Sequence, residues 1–309
     1  MNYSNLVEEI FNKKSFLCVG LDTDYNKIPE CIKDTSKQGS ILRFNRAIID
    51  ATAPYAVAFK PNVAFYESEG TEGWKALEET VRYIKQNYPE ILVIADAKRG
   101  DIGNTSERYA VAMFDHLGAD AVTLAPYMGK DSISPFLSHK GKWSVILALT
   151  SNAGSEDFQM LQAYDEDVTA PHLRCLHKGK MVWTEASPDA TLSPLYEHVL
   201  ATASSWGSKE NTMFVVGATH AEMLTNVRKI VPSHFLLVPG VGTQGGSLEE
   251  VARYGMIPDC GLLVNSSRGI IYAAKDEHYA LATKEKAADL QKQMADLLYH
   301  YTINFNKGH

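Results

Sequence analysis

Eight short runs of apolar, β-prone residues recur along the chain, each separated from the next by a longer stretch. They are FLCVGLD (16–22), AVAFK (56–60), ILVIAD (91–96), DAVTLA (120–125), SVILALT (144–150), MFVVGA (213–218), FLLVPG (235–240) and GLLVNSS (261–267). Runs that are apolar throughout, rather than alternating with polar residues, suit parallel strands covered on both faces. Among the other stretches, EGWKALEETVRYIKQNY (72–88), TSERYAVAMFDHLGA (105–119) and the closing LATKEKAADLQKQMADLLYHY (281–301) carry apolar residues at helical spacing. Eight strands alternating with helices predict an α/β protein, a (β/α)8 TIM barrel. The competing doubly wound open sheet expects a G-x-G-x-x-G turn after its first strand, and GLDTDYNKIPE stands there instead. The whole chain, 1–309, is expected to form one barrel domain, since barrels routinely reach this length.

One spacing is out of step. Roughly sixty residues separate strands five and six, far more than one helix and two loops require. The segment 155–210 is therefore expected to be a long insertion, or an extended crossover, within the barrel. Its sequence, which includes AYDEDVTAPHLRCLHKGKMVWTEASP, holds too many aromatic and aliphatic residues for a plain linker. A decorated crossover helix and a lid over the site fit it equally.

Composition removes several classes of function. The formal net charge is −7 with no basic block, which argues against nucleic acid and leaves an anionic small molecule open, because local charge decides there. No apolar run approaches the length of a membrane span, and the N-terminal residues lack the long apolar core of a signal peptide. Cys18, Cys31, Cys175 and Cys260 are scattered and form no C-x-x-C pair, so they read as free thiols in a reducing compartment. A cytoplasmic protein without a membrane partner is the expectation. No metal is demanded, since the histidines show neither H-x-H nor H-E-x-x-H spacing.

In a barrel, chemistry sits at the C-terminal ends of the strands. Here those ends are unusually polar: Asp22 after the first strand, Lys60 after the second, Asp96 and Lys98 after the third, Thr150 and Ser151 after the fifth. A solvated strand end explains any one of these, but barrel geometry aims the whole set at one mouth. Residues two apart on a strand share a face, which makes Asp96 and Lys98 neighbours, and Lys60 on the adjacent strand can approach both. At ~4 Å each contact of such a plus–minus–plus array carries about 4 kcal/mol at an effective dielectric near 20. The last two strands feed PGVGTQGGS and NSSRG, a Gly-rich turn followed by Arg268. Loops in these positions commonly hold a phosphate through backbone N–H groups, and Gln244 and Arg268 add donors.

The stretch DAKRGDIGNT (96–105) reads as D-x-K-x-x-D-I-x-x-T, and with it the chain resembles the orotidine 5′-phosphate decarboxylase family. The resemblance spans the chain through GLDTD, FKPN, ALTSNAGSEDF, PGVGTQGG and NSSRGI, and the long fifth crossover is similar to the longer bacterial branch. It implies cofactor-free removal of CO2 from orotidine 5′-monophosphate to give UMP. Residue by residue, Lys98 would protonate C6 of the pyrimidine, Asp96 would lie beside the substrate carboxylate, and Lys60 would hold Asp96 and contact the ribose. Asp101 and Thr105 would reach into the neighbouring site of a homodimer with shared active sites. Asp22 would bind ribose hydroxyls, Ser151 the pyrimidine, and Gln244, Ser267 and Arg268 the phosphate. Arg99 and Asn104, inside the signature, have no derivable role and read as solvent or interface contacts. Related metal-dependent sugar-phosphate lyases keep D-x-K-x-x-D but place an acidic ligand at the end of strand two, where this chain has Lys60. A barrel that binds UMP without turning anything over is the third alternative.

Overall fold

The computed structural model describes residues 1–163, 173–177, 180–184, 193–241 and 245–305. Eight parallel strands close into a barrel in simple chain order: β1 Leu17–Leu21, β2 Ala56–Pro61, β3 Leu92–Arg99, β4 Ala121–Leu124, β5 Trp143–Leu149, β6 Thr212–Val216, β7 Phe235–Pro239 and β8 Leu262–Ser266, with β8 pairing back onto β1. This is the expected (β/α)8 architecture, and each strand falls on one of the eight apolar runs. Their residues are almost uniformly buried because helices cover the outer face while side chains fill the inner one.

The helices used below are α1 Tyr3–Lys13, α2 Lys37–Thr52, α3 Gly70–Asn87, α4 Gly103–Val111, α5 Lys130–Leu137, α6 Leu195–Ser204, α7 Leu224–Ile230, α8 Leu248–Gly255 and α9 Tyr279–Phe305. α3 shows why they form: Ala76, Leu77, Val81 and Ile84 make one buried stripe at three- and four-residue spacing. α1 precedes the first strand and packs at the foot of the barrel, with the Tyr3 ring edge-on to Phe235 and Lys13 donating to the carbonyls of Ala53 and Ala56. α9 packs outside the sheet, burying Thr283, Ala287, Met294 and Leu298.

The long fifth crossover is resolved into parts. Gln162–Ala163 pairs antiparallel with Ser193–Pro194, and α6 follows at once as an ordinary crossover helix. Within the 155–210 crossover, the extra chain leaves at 163 and returns at 193. Within it Leu173–His177 and Lys180–Thr184 form an antiparallel hairpin, and the rest lies outside the described residues.

Foot and mouth of the barrel are built differently. At the foot, Arg228 in α7 donates to the carbonyls of Gly255, Val231, His234 and Gly261, tying the turns before β7 and β8 together. The His234 ring rests edge-on against Phe214, and neither ring nitrogen has a hydrogen-bond partner among the described residues. Burial, and then the positive charges of Arg228 and Lys209, push its imidazole down to about 4. A depressed histidine stays neutral in the fold, so the unfolded chain takes up the proton first between pH 6.5 and 4. Stability should therefore fall as pH drops through that window, and thermal unfolding of His234→Phe should show a shallower loss than the parent. Equal slopes for the two proteins would refute this.

Candidate active site

The mouth of the barrel is organised around one buried carboxylate. Asp96, 8% exposed, lies on β3 and accepts from Lys60 Nζ at 2.6 Å through Oδ2 and from Lys98 Nζ at 2.6 Å through Oδ1. Thr123 of β4 donates to the same Oδ1 at 2.9 Å, and its hydroxyl oxygen accepts from the Lys98 backbone N–H at 2.9 Å. Lys60 is 4% exposed at the end of β2, whereas the Lys98 side chain is half exposed. Burial alone would raise the Asp96 carboxyl, but the Lys60 and Lys98 ammoniums outweigh it and hold the group well below the usual carboxylate range. Burial likewise opposes the charge on Lys60, yet Asp96 and then Asp22 keep its ammonium above the ordinary lysine value. Asp96 and Lys60 are therefore both ionised at neutral pH. Beneath it, the buried Cys18 thiol is pushed up to about 12 by burial and serves as neutral packing against Asn265.

Strand alternation is not what joins Asp96 to Lys98. The β3–β4 register shifts between Ala95 and Arg99, and Lys98 takes a left-handed backbone with φ +46°. That conformation costs a residue bearing a Cβ about 1–2 kcal/mol. Lys98 therefore reaches Asp96 from a bent strand end, and Thr123, absent from the sequence expectations, holds both partners. Its only signal was a polar residue within the otherwise apolar AVTL.

Asp22 follows β1 and is half-buried, and its Oδ1 has no hydrogen-bond partner among the described residues. Its backbone is fixed on two sides. Tyr272 donates its hydroxyl to the Asp22 carbonyl at 3.0 Å and accepts from Asp24 N–H at 2.7 Å. A buried polar knot holds the neighbouring residues: Thr23 donates to Asn45 of α2, Asn45 donates to Tyr66 and to Thr80 of α3, and Tyr66 donates to the Leu21 carbonyl. No periodicity argument finds such a knot, because its members read as ordinary helix and loop residues.

The remaining expected residues are placed as follows. Ser267 follows β8 and donates to the Gly20 carbonyl across the β1–β8 seam at 3.2 Å. Residue 20 must be glycine, since a Cβ there would lie 2.6 Å from Ser267 Cβ and 3.2 Å from Asn265 Oδ1. Arg268 is exposed and opens the short helix Arg268–Ile271. Gln244 lies outside the described residues, but the base of its loop folds back over β6: Gly246 N–H donates to the Gly240 carbonyl, and a Cβ on Gly246 would lie 2.6 Å from Ala218 Cβ. Ser151 is half-buried after β5 and lines a cleft of about 370 Å³ with Thr150, Asn152, Glu156 and Thr219. Asp101 and Thr105 stand apart. Asp101 Oδ1 accepts from Ile102 N–H at 2.7 Å and makes no ion pair with Lys98 among the described residues, and Thr105 is exposed on the first turn of α4. Within one chain the array is Lys60–Asp96–Lys98 and ends there. Among the described residues, no group of three or more His, Cys, Asp or Glu side chains is placed to hold a metal ion.

A closed (β/α)8 barrel with a Lys–Asp–Lys array at the strand C-termini and a Gly-rich return after β7 defines a barrel enzyme of the D-x-K-x-x-D type. The chain belongs to the orotidine 5′-phosphate decarboxylase / HUMPS family, whose model matches residues 15–283. It is 53% identical over 298 residues to orotidine 5′-phosphate decarboxylase of Bacteroides fragilis, covering 96% of this chain and 98% of that one. The enzyme of the same name from Phocaeicola vulgatus is also 53% identical, with 96% and 99% covered. Among solved structures, the OMP decarboxylase of Leishmania donovani superimposes with a TM-score of 0.76 at 34% identity, covering 97% of this chain and all of that one.

The two ends of the array should differ in what they do for stability. Asp96→Asn leaves Lys60 buried without its main counter-ion and should cost about 3 kcal/mol. Lys98→Ala removes a half-exposed partner and should cost under about 1 kcal/mol. Urea unfolding of the two variants measures the contrast, and equal losses would overturn it.

Proposed function

We propose that this protein catalyses the cofactor-free decarboxylation of orotidine 5′-monophosphate to UMP and CO2, the last step of de novo pyrimidine nucleotide synthesis. The observation that carries the reading is the Lys60–Asp96–Lys98 array, with two ammoniums on one buried carboxylate at the barrel mouth. Loss of CO2 leaves an electron pair on C6 with no cofactor to receive it, so the protein must supply the stabilisation. In this reading the Lys98 ammonium faces that carbon. Its attraction grows as negative charge collects there, and it then delivers the proton, which favours the transition state over the ground state. Thr123 and Asp96 hold Lys98, so little reorganisation is needed at the moment of reaction. Asp96 lies beside the departing carboxylate, and Lys60 keeps Asp96 ionised.

Asp22, Ser151, Thr105, Gln244, Ser267 and Arg268 take the substrate-binding roles. Asp22, whose Oδ1 has no hydrogen-bond partner among the described residues, suits ribose hydroxyls. Ser151 lies beside a cleft for the pyrimidine, while Ser267 and Arg268 follow the last strand, where barrel enzymes commonly seat phosphate. Phosphate contacts lie far from the reacting carbon, so their binding energy is available for closing loops.

The working unit is a homodimer in which the partner supplies Asp101. Around Asp101 the surface is apolar, with Ile102 53%, Tyr127 89% and Met128 48% exposed, a group that suits burial against a second copy. The reaction is placed in the cytoplasm, in keeping with the described residues, among which no helix is long and apolar enough to cross a membrane. Lys60 supports metal-free chemistry, because it stands where the metal-dependent lyases of the superfamily carry an acidic ligand.

An ultraviolet assay of orotidine 5′-monophosphate loss tests this directly. Turnover should survive EDTA, and Lys98→Ala should abolish it, at least about a thousandfold, while the protein stays folded. Loss of activity on chelation would favour a metal-dependent lyase, and tight UMP binding without CO2 release would favour a non-catalytic barrel. Mixing Lys98→Ala with Asp101→Ala chains tests the shared site: each mixed dimer should regain one intact site from two inactive parents. Verified mixed dimers that stay inactive would remove the sharing.

A further inference from the structure

Arg99, next to Lys98, is neither a solvent contact nor a free cation. Its guanidinium pairs with Glu67 at the end of the helix Val63–Glu67, donates to the Ala97 carbonyl at 3.3 Å, and lies over the Tyr109 ring of α4 at 5.4 Å. Its side chain is 21% exposed, and its Nε is buried without a partner among the described residues. The backbone on either side is also pinned: Lys98 N–H donates to Thr123, and the Arg99 carbonyl accepts from Ala125 N–H at 2.8 Å. Gly100 packs so closely on Ala125 that a Cβ there would lie 3.2 Å from its carbonyl oxygen. All of this surrounds a residue held at φ +46°.

We propose that Arg99 is a positioning residue for Lys98, a strap from the β2 exit to the β3 exit that keeps the left-handed turn from relaxing. A lysine released from that turn returns to the extended region, which carries its ammonium off Asp96 and moves Asp101, three residues on, with it. The strap acts through two groups: Glu67 anchors the far end, and Ala97 ties the guanidinium back over the bend. Lysine at position 99 keeps the charge but cannot span both with one fork. The proposal rests on Lys98 being the proton donor.

Steady-state kinetics on the full-length protein with orotidine 5′-monophosphate tests it. Arg99→Ala should lower kcat about tenfold, equivalent to about 1.4 kcal/mol, while KM stays within about twofold, because the lost alignment is felt in the transition state. Glu67→Gln and Arg99→Lys should lower kcat in the same direction by smaller factors, and they keep the test open if the alanine variant does not fold. The exchanged pair Glu67→Arg with Arg99→Glu should recover part of the kcat lost in Arg99→Glu alone. Unchanged kcat in folded Arg99→Ala, or an exchanged pair no better than Arg99→Glu, would overturn the strap. A Lys98→Ala control separates the two levels. If that variant is inactive while Arg99→Ala is normal, only the strap falls; if Lys98→Ala still turns over, the assignment of Lys98 falls and the strap with it.

Discussion

Everything at the mouth of this barrel depends on keeping the Asp96 carboxylate ionised where water is nearly excluded. Desolvating a carboxylate and an ammonium is expensive, and a buried ion pair often does no better for stability than well-packed apolar residues of the same size. Asp96 and Lys60 are therefore poor candidates for a structural staple. A barrel of this size has buried strands enough to stand without them. What the pair provides is a fixed negative charge, held between two cations at the mouth of the barrel, where the proposed reaction would have the substrate shed its own carboxylate. Thr123 completes the arrangement by satisfying Asp96 from β4 while it restrains the backbone of Lys98.

The asymmetry between the two lysines follows from the same constraint. Lys60 is buried, has Asp22 as a further negative neighbour, and cannot move without exposing Asp96. Lys98 is half exposed and approaches from a strained bend. One cation stabilises the anion, and the other is the proton donor of the proposed reaction. The strain at Lys98 is the structural mark of that division, since a relaxed strand would leave its ammonium tied to no particular direction.

Much of this was legible in the residues, for physical reasons. Parallel strands covered on both faces must be apolar throughout, so all eight appeared as unbroken runs, and their order around the barrel followed from the chain. Barrel geometry then gathered Asp22, Lys60, Asp96 and Lys98 at one end without further information. What escaped was whatever depends on backbone bends or contacts between distant elements. The closeness of Asp96 and Lys98 was expected from strand alternation, but it comes from a left-handed residue that no pattern of hydrophobicity encodes. Thr123 is hidden inside an apolar strand, and the Thr23–Asn45–Tyr66–Thr80 knot joins four elements whose polar members look like surface residues in one dimension. The bracket 155–210 took in the extended crossover as a whole, because the crossover helix α6 and the flanking turns share the mixed composition of the inserted part.

The placement of these hidden elements is itself informative. The polar knot, Tyr272, the Thr123 hydroxyl and the Arg99–Glu67 pair all act on the exits of β1, β2, β3 and β4. That half of the mouth is braced by a buried polar knot and by part-buried and exposed contacts around it, and the buried bonds cost free energy if left unmade, so its geometry is set before any ligand arrives. On the other side, Ser151 and Ser267 follow strand ends outside helices, and Arg268 is exposed at the start of a short helix. The proposed cofactor-free decarboxylation would draw on this difference. In that proposed reaction, charges that meet the developing carbanion gain from being immobile, because any reorganisation would be charged against the barrier. In the same reading, groups that take the pyrimidine and the phosphate gain from being able to close, because closure turns remote binding energy into alignment at the reacting carbon.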